Sequence, residues 1–239
     1  AELTGWPGGV ILRLRSLTQR RSSLWMVPMR RLTAVAALFA TLPIGLLAQI
    51  PDGWQVRPDR EGSDLTELVF SEMPPGWHVA FGPSAILYRP EMQAGGAYRV
   101  EMEVFLFDPQ GRREAFGFFI GGRDLEGAGQ RYTYFLIRDG GQFLVKARDG
   151  REAPTLVEWT NHPAVLGFTD RDEGESSVRN VLAAEVMNDE VRFLVNDREV
   201  TRIARNGLSL DGVVGFRVNH GLNLHISRLD VTPGDGDGS

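Results

Sequence analysis

Glu101 and Glu103 stand two residues apart in the run AYRVEMEVFLF (97–107), and side chains two apart on a strand share a face. A pair of carboxylates on one surface can protonate a leaving oxygen and supply the nucleophile or base, which is what glycosidic cleavage needs. The same glutamates, with Arg99 beside them, equally fit a solvated strand face. A second constellation suits binding rather than catalysis. Tyr132 and Tyr134 share a strand face and, with Trp159, offer rings on which a sugar can stack, while Arg217, Asn219 and His225 offer polar groups on the late strands. A buried aromatic pair would show the same tyrosine spacing. The run DRDEGE (170–175) presents Asp170, Asp172 and Glu175 as closely spaced hard oxygens, so calcium is possible there, and a solvated acidic loop is the other reading. No other cofactor is expected. His78, His162, His220 and His225 lack a spacing that converges on a metal, and the nucleophile-elbow, phosphate-loop and dinucleotide glycine motifs are absent.

These residues sit in a chain whose period after Asp64 is two. Strands are expected at 65–70, 77–81, 84–88, 97–107, 115–121, 130–138, 142–147, 155–159, 179–187, 190–196, 199–204, 213–219 and 222–231. In AYRVEMEVFLF, Tyr98, Val100, Met102, Val104 and Leu106 form one face. Turn formers separate the runs: Asp139-Gly140-Gly141, Asp149-Gly150, Asn196-Asp197, Asn206-Gly207 and Asp211-Gly212. Many short antiparallel strands without a helical stripe predict an all-β, two-sheet jelly-roll sandwich. FGFFIGG and RYTYFLIR are apolar on both faces, as in strands whose second face is covered or lines a concave groove. Residues 161–178 form the longest stretch without a strand pattern, and such a stretch is functional or mobile.

Composition narrows the function. The chain holds 26 basic and 31 acidic residues; six of the arginines but only one acid lie in the first 48, so the remainder carries a net charge of about −10. That balance disfavours a nucleic-acid partner. With no cysteine, disulfides, thiolate catalysis and cysteine metal sites are excluded. Lys146 is the only lysine.

Ahead of the sandwich, Arg30 and Arg31 precede an apolar run from Leu32 to Ala48. Residues 29–48 therefore read as a signal peptide or a transmembrane signal-anchor, which gives a periplasmic or extracellular address, in the anchored case on a bacterial inner membrane with a cytoplasmic N-terminus. Residues 1–28 are expected as an Arg-rich extension, either cytoplasmic or upstream of a true start at Met26 or Met29. A linker over 49–63, the sandwich over 64–231 and a flexible tail over 232–239 complete the division.

The chain resembles the concanavalin A-like (laminin-G-like) sandwich superfamily, and within it the bacterial domain named after 3-keto-disaccharide hydrolases. The resemblance spans 64–231 and rests on AYRVEMEVFLF, FGFFIGG, QRYTYFLIRDGGQFLVKARDG, Trp159 with His162-Pro163, VRFLVNDREV and DGVVGFRVNHGLNLHISRLDV. It implies a sandwich fold and a glycan or protein ligand. Hydrolases of this class carry acids at three spaced positions of one strand; here Phe105 and Leu106 follow the two glutamates. Three roles are expected: a non-catalytic binding module, an accessory subunit of a membrane protein complex held through residues 32–48, or a glycoside hydrolase-like enzyme on modified disaccharides.

Overall fold

A computed structural model describes residues 50–80 and 82–234. The extension 1–28, the apolar run 29–48 and residues 235–239 of the tail lie outside the described residues. Fourteen strands form two antiparallel sheets of seven. Sheet A runs β1 (Gln55–Pro58), β4 (Ala85–Ala94), β13 (Gly212–Val218), β6 (Ala115–Arg123), β7 (Arg131–Arg138), β8 (Gln142–Asp149), β9 (Thr155–Asn161). Sheet B runs β12 (Arg198–Ala204), β11 (Glu190–Val195), β10 (Ser177–Val186), β5 (Tyr98–Phe107), β14 (Asn223–Pro233), β3 (Trp77–Ala80), β2 (Val69–Glu72). The only helical turn among the described residues is a 3-10 turn at Phe168–Asp170.

Alternation does most of the building. Along β5, Tyr98, Val100, Met102, Val104 and Leu106 are buried while Arg99, Glu101, Glu103, Phe105 and Phe107 are half-buried on the other side. The inner faces interlock through aromatic rings: Phe135 of sheet A lies 5.0 Å from Phe193 of sheet B, and Trp54, stacked on Phe216 of sheet A at 4.8 Å, meets Trp77 of sheet B at 5.0 Å. The β11–β12 hairpin turns at Asn196 and Asp197, both with positive φ (50° and 61°), the conformation that a two-residue hairpin of matching twist demands.

Three expectations need correction. Gln55–Pro58 falls within the expected linker but pairs with β4 as an edge strand; four residues ending in proline give too little pattern to read, and an edge position tolerates the missing donor. Strand β4 continues past Pro90 to Ala94, six residues beyond the expected end. Strand β2 begins at Val69, because residues 65–68 form a turn closed by the Leu68 N–H donating to the Leu65 carbonyl at 3.0 Å.

The stretch 161–178 is pinned rather than loose. Buried Asn180 accepts from the Leu166 N–H at 3.0 Å and donates to the Leu166 carbonyl at 2.9 Å. Asn196 donates to Asn180 at 3.0 Å and to the Ala164 carbonyl at 2.8 Å, and the Phe168 N–H donates to the Asp139 carboxylate at 2.7 Å. Replacing Asn180 strands several of these groups at once. Asn180→Ala is expected to lower unfolding free energy by about 2 kcal/mol, with hydrogen exchange accelerated at residues 164–168 and unchanged in β5.

Candidate functional site

The two outer faces of the sandwich are built differently. On sheet B, charged side chains form a closed lattice. Arg99 pairs with Glu101 (2.7 Å) and Glu185 (2.6 Å), Arg192 with Glu185 (3.0 Å) and Glu199 (2.9 Å), and Arg202 with Glu199 (2.7 Å). Glu101 also meets Arg228, while Glu103 is held by Arg179 and by the Ser227 hydroxyl at 2.7 Å. Burial pushes the Glu103 carboxyl up, but the Ser227 and Arg179 hydrogen bonds and the Arg179 and Arg228 charges outweigh it, leaving it below the usual glutamate value. A proton donor for glycosidic cleavage needs the opposite shift.

On sheet A, the outer face holds a second apolar cluster, separate from the intersheet core: Ile86, Tyr88, Phe119, Tyr132, Tyr134 and Leu136 at its centre, with Trp159 packed against it. Cross-strand register sorts these residues into rows. One row runs Arg57, Ile86, Arg217, Gly117, Leu136, Leu144; the next runs Gln55, Tyr88, Gly215, Phe119, Tyr134, Lys146, Thr155; Tyr132 and Arg148 begin a third. Gly215 leaves the gap into which its neighbours lean, since a Cβ there would stand 2.7 Å from the Phe119 ring and 2.8 Å from the Tyr88 Cβ. Tyr132 meets Phe119 at 5.1 Å and Tyr134 at 5.6 Å, in tilted contacts.

Arg217 lies in the middle of this face, 5% exposed, beside the empty position of Gly117 and with its guanidinium 5.5 Å from the Tyr134 ring centroid. Asp59, just past β1, meets both terminal nitrogens of Arg217 in a bidentate pair and lies 3.7 Å from Arg148. Burial pushes the Asp59 carboxyl up; the Arg217 hydrogen bonds and charge, with the charges of Arg148 and His220, outweigh it and hold it below the usual aspartate value. Burial also acts against a charged Arg217, and the Asp59 hydrogen bonds and charge, with Tyr132 and Tyr134, more than offset it, so the guanidinium stays protonated. Burial raises the Tyr134 phenol despite the Arg217 charge.

One cleft adjoins the pair, and Arg148 reaches a second where β7 begins and β8 ends. The first, of about 540 Å³, is lined by Trp54, Arg57, Asp59, Tyr88 and Glu126. The other, of about 440 Å³, is lined by Arg123, Arg131, Arg148, Asp149 and Leu208.

Of the sequence-derived candidates, Tyr132, Tyr134, Trp159 and Arg217 come together here. Tyr132 and Tyr134 are 1% and 5% exposed, so their rings form the floor of the face. Trp159 is half-buried under the Arg138 guanidinium, 4.0 Å from its ring centroid. Asn219 follows β13 and donates its N–H to the Ala115 carbonyl, while its side-chain oxygen has no partner among the described residues. His225 lies apart, on sheet B against His78 and Phe105, because β14 belongs to the other layer. Glu101 and Glu103 share that other layer. Asp170 turns its carboxylate onto the Gly167 N–H at 2.7 Å, Asp172 and Glu175 are exposed, and no group of three His, Asp or Glu among the described residues is placed to hold a metal. Nothing in the sequence marks Asp59 or Arg148: a lone aspartate before β2 and an arginine in an arginine-rich chain carry no spacing signal.

No protein-family model matches the sequence, and no curated protein matches it. Solved structures do. A carbohydrate-binding module CBM66 from Bacillus subtilis superposes with TM-score 0.54 at 12% identity, covering 75% of this chain and 95% of its own. A Bacillus subtilis protein of unknown function with a galectin-like fold gives 0.52 at 12%, covering 75% and 89%. The GH16 protein of the Bacteroides ovatus mixed-linkage glucan PUL gives 0.52 at 7%, covering 74% and 94%. The chain folds as a concanavalin A-like, galectin-like β-sandwich. At these identities the likeness concerns the fold, and function has to be argued from the site.

The Asp59–Arg217 pair yields a signed expectation. The Asp59 pKa is depressed in the fold, so its stabilisation is complete above the unfolded value of 3.8 and is lost as pH falls through the lower folded value. Asp59→Asn leaves a buried guanidinium without its counter-ion, and with Asp59 itself partly solvated the expected cost near neutral pH is about 2 kcal/mol. In denaturant titrations the gap to wild type should narrow only below pH 3.8.

Proposed function

We propose that this protein is a non-catalytic, glycan-binding β-sandwich module whose ligand lies on the outer face of sheet A. The contrast between the two outer faces carries the reading. Sheet B spends its charges on one another, whereas sheet A presents a half-buried tryptophan and cationic side chains over a floor of buried aromatic rings, beside a cleft. Rings beside planar polar groups suit a sugar, whose C–H faces pack on the former and whose hydroxyls bond the latter. The fold likeness to a carbohydrate-binding module and a GH16 protein is consistent with that use.

The enzyme reading, in its specific form an activity on modified disaccharides, needed Glu101, Glu103, Arg217 and His225 around one pocket. Arg217 lies on sheet A and the other three on sheet B, and both glutamates are engaged by arginines. That separation favours binding over hydrolysis.

Arg30, Arg31 and the apolar run 32–48 support placing the module on the extracytoplasmic side. The same run motivates a second reading, an accessory subunit tethered to a membrane protein complex. Mass spectrometry of the mature N-terminus separates the two: removal near Ala48 is expected for a released module, while an intact segment recovered with membrane proteins favours the tethered subunit.

Titration of the full chain against oligosaccharides selected on a glycan array is expected to give saturable binding, weakened about fivefold or more by Trp159→Ala with the thermal transition retained. An array without hits, or a Trp159→Ala variant that binds every hit as wild type does, removes sheet A as a glycan face.

A further inference from the structure

The geometry points to a negatively charged ligand for this face: a glycan bearing carboxylate or sulfate groups. The inference rests on the glycan-binding reading and names its ligand class.

Charge on the face is lopsided. Arg57, Arg217, Lys146 and Arg148 occupy outward positions in its three rows, and no position in those rows is acidic. Asp59 is the one carboxylate paired with these cations among the described residues, reaching Arg217 and, at 3.7 Å, Arg148; Glu126 lines the flanking cleft. One aspartate cannot neutralise three arginines and a lysine. Donors also outnumber acceptors: the Nε–H groups of Arg57, Arg148 and Arg217 are buried without a hydrogen-bond partner among the described residues. Such groups are costly to bury and are uncommon in a structural interior.

The excess is local. The whole chain carries a net charge of −5, and the outer face of sheet B sets its arginines against glutamates in a shared lattice. A cationic surface on an acidic protein draws anions to one side of it.

Lys146 marks the spot. It is the only lysine beside 25 arginines, lies between Tyr134 and Thr155 in the central row, and forms no ion pair among the described residues. Its ammonium is a compact, strongly hydrated charge on a flexible stem, suited to an anion whose position varies along a polymer. Two residues on, Arg148 lines the 440 Å³ cleft, whose carboxylates Asp149 and Asp211 are paired with Arg131 and Arg205, and it offers the planar fork that grips a carboxylate or sulfate. The buried Arg217–Asp59 pair and the tyrosine rings form the floor beneath them, and half-buried Trp159 supplies the apolar contact for the sugar body.

Calorimetry on the full chain with matched polymers tests this: polygalacturonate against its methyl ester, and dextran sulfate against dextran. At least one charged member is expected to bind about tenfold or more tightly than its neutral counterpart, with affinity falling as salt rises. Whether the uronate or the sulfate member binds identifies which anion is read. Lys146→Met should lose about tenfold on the charged polymer, Lys146→Arg should retain most of it, and Arg228→Gln on sheet B should change nothing. Equal binding of charged and neutral members, or a Lys146→Met variant with unaltered affinity, overturns the inference and leaves the glycan-binding reading intact. Binding to no glycan of either kind removes both.

Discussion

A guanidinium in the middle of a sheet face has to be neutralised where it stands, and Arg217 imposes that condition on everything around it. Its counter-ion is the residue just past β1, whose N–H still donates to the Ser84 carbonyl at 2.9 Å, so the chain must lay an edge strand against β4 for Asp59 to reach Arg217. Gly117 leaves the neighbouring position without a side chain, and Tyr134 presents its ring to the guanidinium. A buried ion pair of this kind adds little net stability over a well-packed apolar group, while losing either partner is expensive. What it supplies is a fixed geometry: a cation whose position is set within the sheet and whose charge does not titrate.

Sheet B shows what the same residue types do without that constraint. Its glutamates and arginines are partly solvated, paired in a lattice, and individually worth no more than about 1 kcal/mol. Such a lattice keeps the outer surface polar, and it occupies the Glu101 and Glu103 carboxylates. Core packing then needs only one apolar face from sheet B. Sheet A needs two, which is why β6 and β7 are buried along almost their whole length.

Much of the architecture is legible in particular residues. The alternation of β5 and the turn at Asn196-Asp197 announce antiparallel pairing because each residue there obeys a local rule, period two or positive φ. The double-sided apolarity of FGFFIGG and RYTYFLIR likewise announces a sheet covered on both faces. The site was less readable because its contacts are distant in sequence: Asp59 and Arg217 are 158 residues apart. His225 illustrates the reverse. Eight residues from Arg217, with the right chemistry, it is carried to the opposite layer because the chain crosses between sheets at Gly221, where φ is +60°. Tyr132 and Tyr134 share a face as their spacing requires, yet spacing alone cannot say whether that face is floor or platform.

The two faces also differ in how they would meet a charged ligand. Approach to sheet B finds charges already satisfied at under 3 Å by their neighbours, so an incoming anion must break an existing pair to gain one. Approach to sheet A finds Arg148 only loosely held by Asp59 and Lys146 without a carboxylate partner among the described residues. The desolvation cost of these cations has in part been met by burial within the fold, so contact with an anion returns more than it would from a fully hydrated side chain. Because Asp59 is committed to Arg217 and stays ionised, it compensates that one charge and leaves the field of the others directed outward. The same aspartate that makes Arg217 tolerable inside the face therefore keeps the face cationic.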